Sequence, residues 1–224
     1  MAALRLRVDA LHTHLPASAD RTYSGVTTEL DRLETLLDDL LALAAAEHRA
    51  GELTVTDGSD ARCDATAVAA AQYRLWEPVA NRAGARLTLR PAAAPPAMAA
   101  CTDRELAQIT DILLDNAIKY AGPGAGISLR CTLTVLTVTD DGPGLGTEEL
   151  ALATTRFWRS GRQRQDGTSG TGLGLAIAEQ LLAGRGGRLE LRPARPRGLR
   201  ARAVLPRGRA GAGDGTDGAD GGVR

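Results

Sequence analysis

The sequence predicts an α+β chain in which a helical hairpin precedes a domain that mixes helices with strands. Three observations carry this. Apolar residues recur at heptad spacing near the amino terminus, alternating β-branched segments lie between helical patterns further on, and three glycine and asparagine boxes follow one another in the second half. The boxes are Asp115-Asn116-Ala117-Ile118-Lys119-Tyr120, Asp140-Asp141-Gly142-Pro143-Gly144-Leu145 and Gly170-Thr171-Gly172-Leu173-Gly174-Leu175.

The chain has 224 residues with 27 Lys+Arg against 27 Asp+Glu, which fits one globular domain and something smaller. No basic excess points to nucleic acid or to an anionic membrane. Cys63, Cys101 and Cys131 are far apart in sequence and odd in number, so they offer neither a disulfide framework nor a C-x-x-C metal site. They read as reduced thiols of a cytosolic protein. The longest apolar stretch, Leu40 to Ala46, falls well short of the roughly 20 residues that span a bilayer. Arg5, Arg7 and Asp9 interrupt the apolar run a signal peptide needs. A cytoplasmic chain without membrane contact of its own is expected, which leaves any anchoring to a complete parent protein.

The hairpin is expected over residues 1–50. Val26, Leu30, Leu33, Leu37, Leu40 and Ala44 alternate steps of four and three, the seam of a coiled coil or bundle. Leu4, Val8, Leu11 and Leu15 repeat that spacing before Pro16 and a polar turn at Ser18 to Asp20. The arms are unequal: about 15 residues span roughly 22 Å, whereas the roughly 30 residues from Ala19 to His48 span about 45 Å. The half from Leu36 to Ala46 is therefore expected to lack a partner within the hairpin.

After a linker at 51–64, a domain is expected over 65–206. It opens with a helix at Thr66 to Ala83, a strand at Arg86 to Arg90 and a Pro/Ala loop from Pro91 to Pro96. A helix from Asp103 to Tyr120 follows, with Thr102 as N-cap. Strands read at Ile127 to Cys131 and Leu133 to Thr139. A polar, arginine-rich stretch runs from Arg156 to Ser169, and a helix runs from the third box to Ala183. Arg188 to Arg192 and Leu199 to Leu205 close the domain as an antiparallel pair. Residues 207–224 are Gly/Asp-rich and are expected to be disordered.

The boxes have chemistry as well as position. Asp140 ends a strand just before a glycine turn, where its carboxylate can accept a hydrogen bond from an exocyclic amine such as adenine N6. Gly142 and Gly144 let backbone approach a flat base, although a plain Asp-Gly hairpin turn has the same sequence. Gly170, Gly172 and Gly174 precede a helix whose N–H groups can face phosphates, or they form a hinge. A Rossmann reading fails because no strand runs directly into these glycines, and a P-loop reading fails because no Gly-Lys-Ser/Thr follows. Asn116 can offer its side-chain oxygen to Mg²⁺ that also holds phosphates, with Lys119 neutralising them, or it can be an ordinary solvated helix residue.

Taken together, the boxes resemble the ATP-binding catalytic domain of sensor histidine kinases of two-component systems. The match covers about Ala61 to Pro206. Asp111 to Tyr120 is similar to the family's N box, Val138 to Leu145 to the G1 box, Arg156 to Arg159 to the F box and Gly170 to Ile177 to the G2 box. The resemblance implies a Bergerat-type α/β sandwich, with a mixed sheet packed on three helices. It implies ATP and Mg²⁺ as cofactors, with Asn116 as metal ligand and Asn116, Lys119 and Arg159 as catalytic residues. Nucleotide contacts are implied for Asn116, Lys119, Tyr120, Asp140, Gly142, Gly144 and Phe157, and for Gly170, Thr171, Gly172, Leu173 and Gly174. Arg162 or Arg164 is implied at the γ-phosphate.

Leu4 to Glu47 is similar to the family's dimerisation and phosphoacceptor hairpin, notably at Asp31-Arg32-Leu33 and Leu36-Leu37-Asp38-Asp39-Leu40-Leu41. The family's phosphorylated His, followed by an acidic or polar residue and then Thr/Asn-Pro, has no counterpart here. His12, His14 and His48 lack that context, and the first helix reads as truncated at its amino terminus. Ile112 stands where many members carry a further Asn, and Thr154 where the F box often opens with Phe. The resemblance implies a kinase core that transfers the ATP γ-phosphoryl to a histidine and then to a response-regulator aspartate, with a receiver domain as partner and a homodimer through the hairpin. Self-phosphorylation by this chain alone is not expected. The missing box leaves open a second reading, a dimerising ATP-binding module that controls a regulator or partner kinase.

Overall fold

The structure, a computed structural model, describes residues 2–12, 16–52, 61–91, 97–161 and 170–208. Most of the Pro/Ala loop, His14, Arg162, Arg164 and residues 209–224 lie outside the described residues.

A helical hairpin opens the chain: α1 at Ala2–His12, one 3-10 turn at Ala17–Ala19, and α2 at Asp20–Glu52. Polar contacts tie the arms. Tyr23 Oη donates to Asp9 Oδ1 at 2.8 Å, and the His12 ring lies 4.1 Å from the Tyr23 ring and 3.6 Å from Asp20. His12 is thus a structural histidine of the turn.

The domain's elements follow as β1 (Cys63–Asp64), α3 (Ala65–Arg82), β2 (Arg86–Arg90), β3 (Met98–Ala99), α4 (Asp103–Ala121), β4 (Gly126–Thr132) and β5 (Val135–Asp140). They continue as α5 (Thr147–Leu152), α6 (Gly174–Ala183), β6 (Arg188–Pro193) and β7 (Leu199–Val204). Five strands form one sheet in the order β2-β4-β5-β7-β6, with β2 parallel to β4 and every other neighbour antiparallel. The helices α3, α4 and α6 pack on one face, as expected of a mixed sheet on three helices.

Local chemistry sets these boundaries. Asp64 caps α3 by accepting from the Thr66 and Ala67 amides, and Thr102 with Glu105 forms a capping box at α4. Leu106, Ile109 and Leu113 recur along one stripe of α4 and bury against Leu129, Leu136 and Val138, which alternate inward from the sheet. Each such side chain contributes about 1.5–3 kcal/mol through burial. Arg185, in the turn after α6, clamps the buried Glu105 with Nε and Nη2, each 3.0 Å from a carboxylate oxygen.

Several expectations change. The small sheet of β1 and β3 and the short helix α5 were not foreseen. Cys63 and Cys101, distant in sequence, bring their Sγ atoms to 3.3 Å in the core, both as free thiols. Helix α2 runs past residue 50, and Cys63 and Asp64 already belong to strand and cap, so the span expected as linker is shorter. Arg207 bridges to Ala99 and Gly208 N donates to Met98 O, so ordered pairing passes the expected end at 206.

The long arm of the hairpin also finds a partner. Leu43 and Ala46 are buried where α2 packs on α6. The mixed domain itself covers the end of the seam that the hairpin leaves bare. The middle stays open, with Leu33 at 46%, Leu37 at 44% and Leu40 at 45% exposure.

Candidate nucleotide site

The boxes, 55 residues apart in sequence from Asn116 to Thr171, line one cavity of about 800 Å³. Its walls include the last turns of α4, the end of β5, the loop 143–146, Trp158, Ser160 and Gly161, and the loop into α6.

Strand alternation places Asp140 on the helix side of the sheet with Leu136 and Val138. It is 8% exposed, and its Oδ1 accepts from Gly142 N at 2.9 Å and Leu199 N at 3.3 Å. Burial raises its pKa above the ordinary carboxylate value, and the two amides oppose the rise. The carboxylate is thereby oriented by backbone at the cavity wall.

On α4, Asn116 Nδ2 donates to Ile112 O at 3.0 Å. This commits the amide's donor side and leaves Oδ1 as its acceptor atom. Lys119 is not a free cation: its Nζ lies 2.6 Å from Asp115 Oδ2, one turn earlier. Tyr120 is largely buried, which raises its pKa. A side chain at Gly170 would place Cβ 2.5 Å from Tyr120 Oη.

The glycines prove necessary for a different reason from the one expected. A Cβ on Gly142 would lie 2.5 Å from Ala121 Cα, and one on Gly144, at φ +69°, would lie 2.7 Å from Gly198 O. Close approach of protein backbone, rather than of a base, excludes side chains there. Gly172, at φ +75°, would drive Cβ to 2.7 Å from the Phe157 carbonyl carbon, and Phe157 N donates to Gly172 O at 3.0 Å. The F and G2 boxes are therefore one packed unit.

Four expected contacts are placed differently. Phe157, at φ +63°, is 58% exposed and does not line the cavity, whereas its neighbour Trp158 does. Arg159 is not on the wall but lies close enough for its charge to act on the Tyr120 hydroxyl. Leu173 turns its side chain into the core and brings only backbone, with its N donating to Thr171 Oγ1 at 3.2 Å. Gly142 holds the turn that orients Asp140 without itself forming wall.

Sequence reading missed the contribution of α2. Arg32, Thr35 and Asp39 line the cavity, and Thr171 Oγ1 donates to Asp39 Oδ2. Burial raises the Asp39 pKa, opposed by the Thr171 bond and by Lys119. Further along, Arg156 pairs with Glu47. The one trace of this in the sequence is polar spacing at i, i+3 and i+7 beside the apolar seam. Among the described residues no cluster of three or more His, Cys, Asp or Glu is arranged to hold a metal. None of their helices is long and apolar enough to cross a membrane.

Comparison with known proteins accounts for this arrangement. Residues 101–209 match the family described as histidine kinase-, DNA gyrase B-, and HSP90-like ATPase. The sensor histidine kinase MtrB of Mycobacterium tuberculosis is 33% identical over 197 residues, which is 85% of this chain and 34% of MtrB. The solved structure of the mycobacterial sensor histidine kinase MprB superposes with a TM-score of 0.54 at 28% identity, covering 65% of this chain and 96% of that one. The Acinetobacter baumannii histidine kinase AdeS, at 20% identity, shares the fold over 91% of this chain and 93% of its own, with a TM-score of 0.58. The chain spans about a third of the length of the curated relatives it matches. Residues 101–209 therefore belong to an ATP-binding domain of the sensor histidine kinase type.

Proposed function

We propose that this chain is the ATP-dependent core of a two-component histidine kinase, transferring the γ-phosphoryl of ATP to a histidine and onward to a response-regulator aspartate. The observation that carries this reading is the convergence of four boxes on one cavity, with the buried Asp140 carboxylate oriented on its wall.

The geometry supports a role for each residue. Asp140 accepts from the adenine amino group through the oxygen its backbone amides leave open. Tyr120 and the loop Gly170 to Gly174 bound the phosphate end, where the amino terminus of α6 offers N–H groups. The Asn116 amide, locked to Ile112 O, suits Mg²⁺, because the bond fixes its oxygen as the acceptor. When bound, the ion supplies charge neutralisation to the phosphates. Lys119 and Arg159 complete the positive surroundings, with Lys119 first exchanging Asp115 for phosphate.

The hairpin forms the dimer in this reading. The half-exposed Leu33, Leu37 and Leu40 are the face a second copy covers. The phosphoacceptor is a histidine in the family's box context, which His12 does not have. Incubating the chain with γ-labelled ATP, Mg²⁺ and a supplied hairpin bearing the complete box tests the reading. Label on the hairpin histidine supports it; none at saturating nucleotide contradicts it.

A further inference from the structure

The face of the five-stranded sheet turned away from α3, α4 and α6 carries a concentration of arginine. Arg90 on β2, Arg130 on β4 and Arg200 on β7 are exposed there, alternating with the partly buried Leu89 and the buried Leu129 and Ala201 of the opposite face. Arg188 and Arg192 on β6 and Arg202 on β7 extend the array. The chain as a whole has no net charge, so this is local segregation.

Register makes the arrangement unfavourable for the free protein. Arg90 stands directly beside Arg130, and Arg192 beside Arg200. Like charges at facing positions destabilise a sheet, and neither pair contributes to the core. Within the described strands Glu190 is the one acid on this face, with Asp141 at its end beside Gly126, and Glu190 is already gripped. Arg188 and Arg202 lie 2.7 and 2.6 Å from its carboxylate, and Arg192 lies 4.0 Å away. A carboxylate held by several guanidinium groups is thus the interaction this surface already makes.

The rest of the face narrows the partner. Its other positions include Arg86, Thr88, Ser128, Thr137 and Thr139, with Val135 and Val204 at the far end. Among the described residues its strands present no aromatic ring on which a base can stack and no large apolar group to enter a lipid interface. We propose that this open sheet face, centred on Arg130 and Arg200, docks an acidic polypeptide segment of a partner protein, whose carboxylates relieve the two arginine pairs.

Fluorescence anisotropy of a short labelled Glu-rich peptide, titrated with the full chain, tests this beside an otherwise identical Gln-rich peptide. Duplex DNA of matched charge and phosphatidylserine vesicles serve as competitors. The Glu-rich peptide is expected to bind, to weaken about tenfold or more in Arg130→Gln/Arg200→Gln, and to weaken similarly in high salt. Binding of an ATP analogue should not change, and the variant should melt at the same temperature as the parent or higher. If that variant does not melt cooperatively, Arg90→Gln/Arg192→Gln relieves the same pairs from the edge strands and decides the matter. Equal binding of the two peptides, indifference to both variants, tighter binding of DNA or vesicles, or self-association abolished by the variants would each overturn the proposal.

Discussion

Thr171, in the glycine-rich loop before α6, donates its hydroxyl to the Asp39 carboxylate of α2, so the long arm of the hairpin lies against the glycine-loop end of the cavity. The same hydroxyl accepts from Leu173 N. One threonine therefore holds the loop's shape and its contact with the hairpin together.

In the proposed reading that contact opposes nucleotide, because Asp39 sets negative charge where the phosphates would sit. Asp39→Asn is expected to tighten binding of an ATP analogue about tenfold, a change on the scale of one charged hydrogen bond, about 1.5 kcal/mol. Isothermal calorimetry on parent and variant reads it directly. Unchanged or weaker binding would show that α2 does not compete with the phosphates.

Gly172 tests the junction of the F and G2 boxes. Gly172→Ala must accommodate both φ +75° and a Cβ 2.7 Å from the Phe157 backbone, a strain of about 1–3 kcal/mol. The expected result is a lower melting temperature together with weakened nucleotide binding. A variant that melts and binds like the parent would mean the loop repacks freely.

Asn116 separates metal from nucleotide. In Asn116→Ala the affinity for an ATP analogue measured with Mg²⁺ should fall to about the value measured with EDTA, with little change in the EDTA value itself. A variant retaining the full Mg²⁺ enhancement would remove Asn116 from the metal site.

The Glu105 and Arg185 pair gives the fold a pH dependence of known sign. Burial pushes the Glu105 carboxyl up, but hydrogen bonds from Arg185 and Thr102 outweigh this and hold its pKa below the ordinary 4.5. Its stabilising contribution is therefore complete above 4.5 and lost as pH falls through the depressed folded value. Arg185→Ala takes the guanidinium away from a buried carboxylate that keeps its Thr102 hydrogen bonds, and should cost about 3 kcal/mol at neutral pH. The loss should shrink on acidification, as denaturant melts across that range will report.

The parts visible in sequence are those fixed by local chemistry. Strand β2 falls at Arg86–Arg90 as predicted, and the Thr102 cap starts α4 where its hydroxyl meets the Glu105 amide. Strands β1 and β3, of two residues each, are too short to show alternation, and α5 at six residues is too short to show a helical period. The identity of the site was readable because glycine boxes and an acid at a strand end are local. Its α2 wall was not, because the docking of Asp39 on Thr171 is decided by how two separately folded patterns meet. The preference for Trp158 over Phe157 on the wall likewise depends on the backbone turn at φ +63°, which one residue's type does not announce.

Calorimetric titration of the chain with a non-hydrolysable ATP analogue and Mg²⁺, repeated on Asp140→Asn, bears on everything above. Asn can still accept from the Gly142 and Leu199 amides, and it removes a buried charge whose pKa burial has raised, so the variant should be at least as stable as the parent at neutral pH. Its advantage should fade as pH drops through that raised value toward the ordinary carboxylate value. The account predicts one analogue bound per chain in the parent and about ten- to a hundredfold weaker binding in the stable variant. No binding by the parent, or equal binding by both, would contradict it.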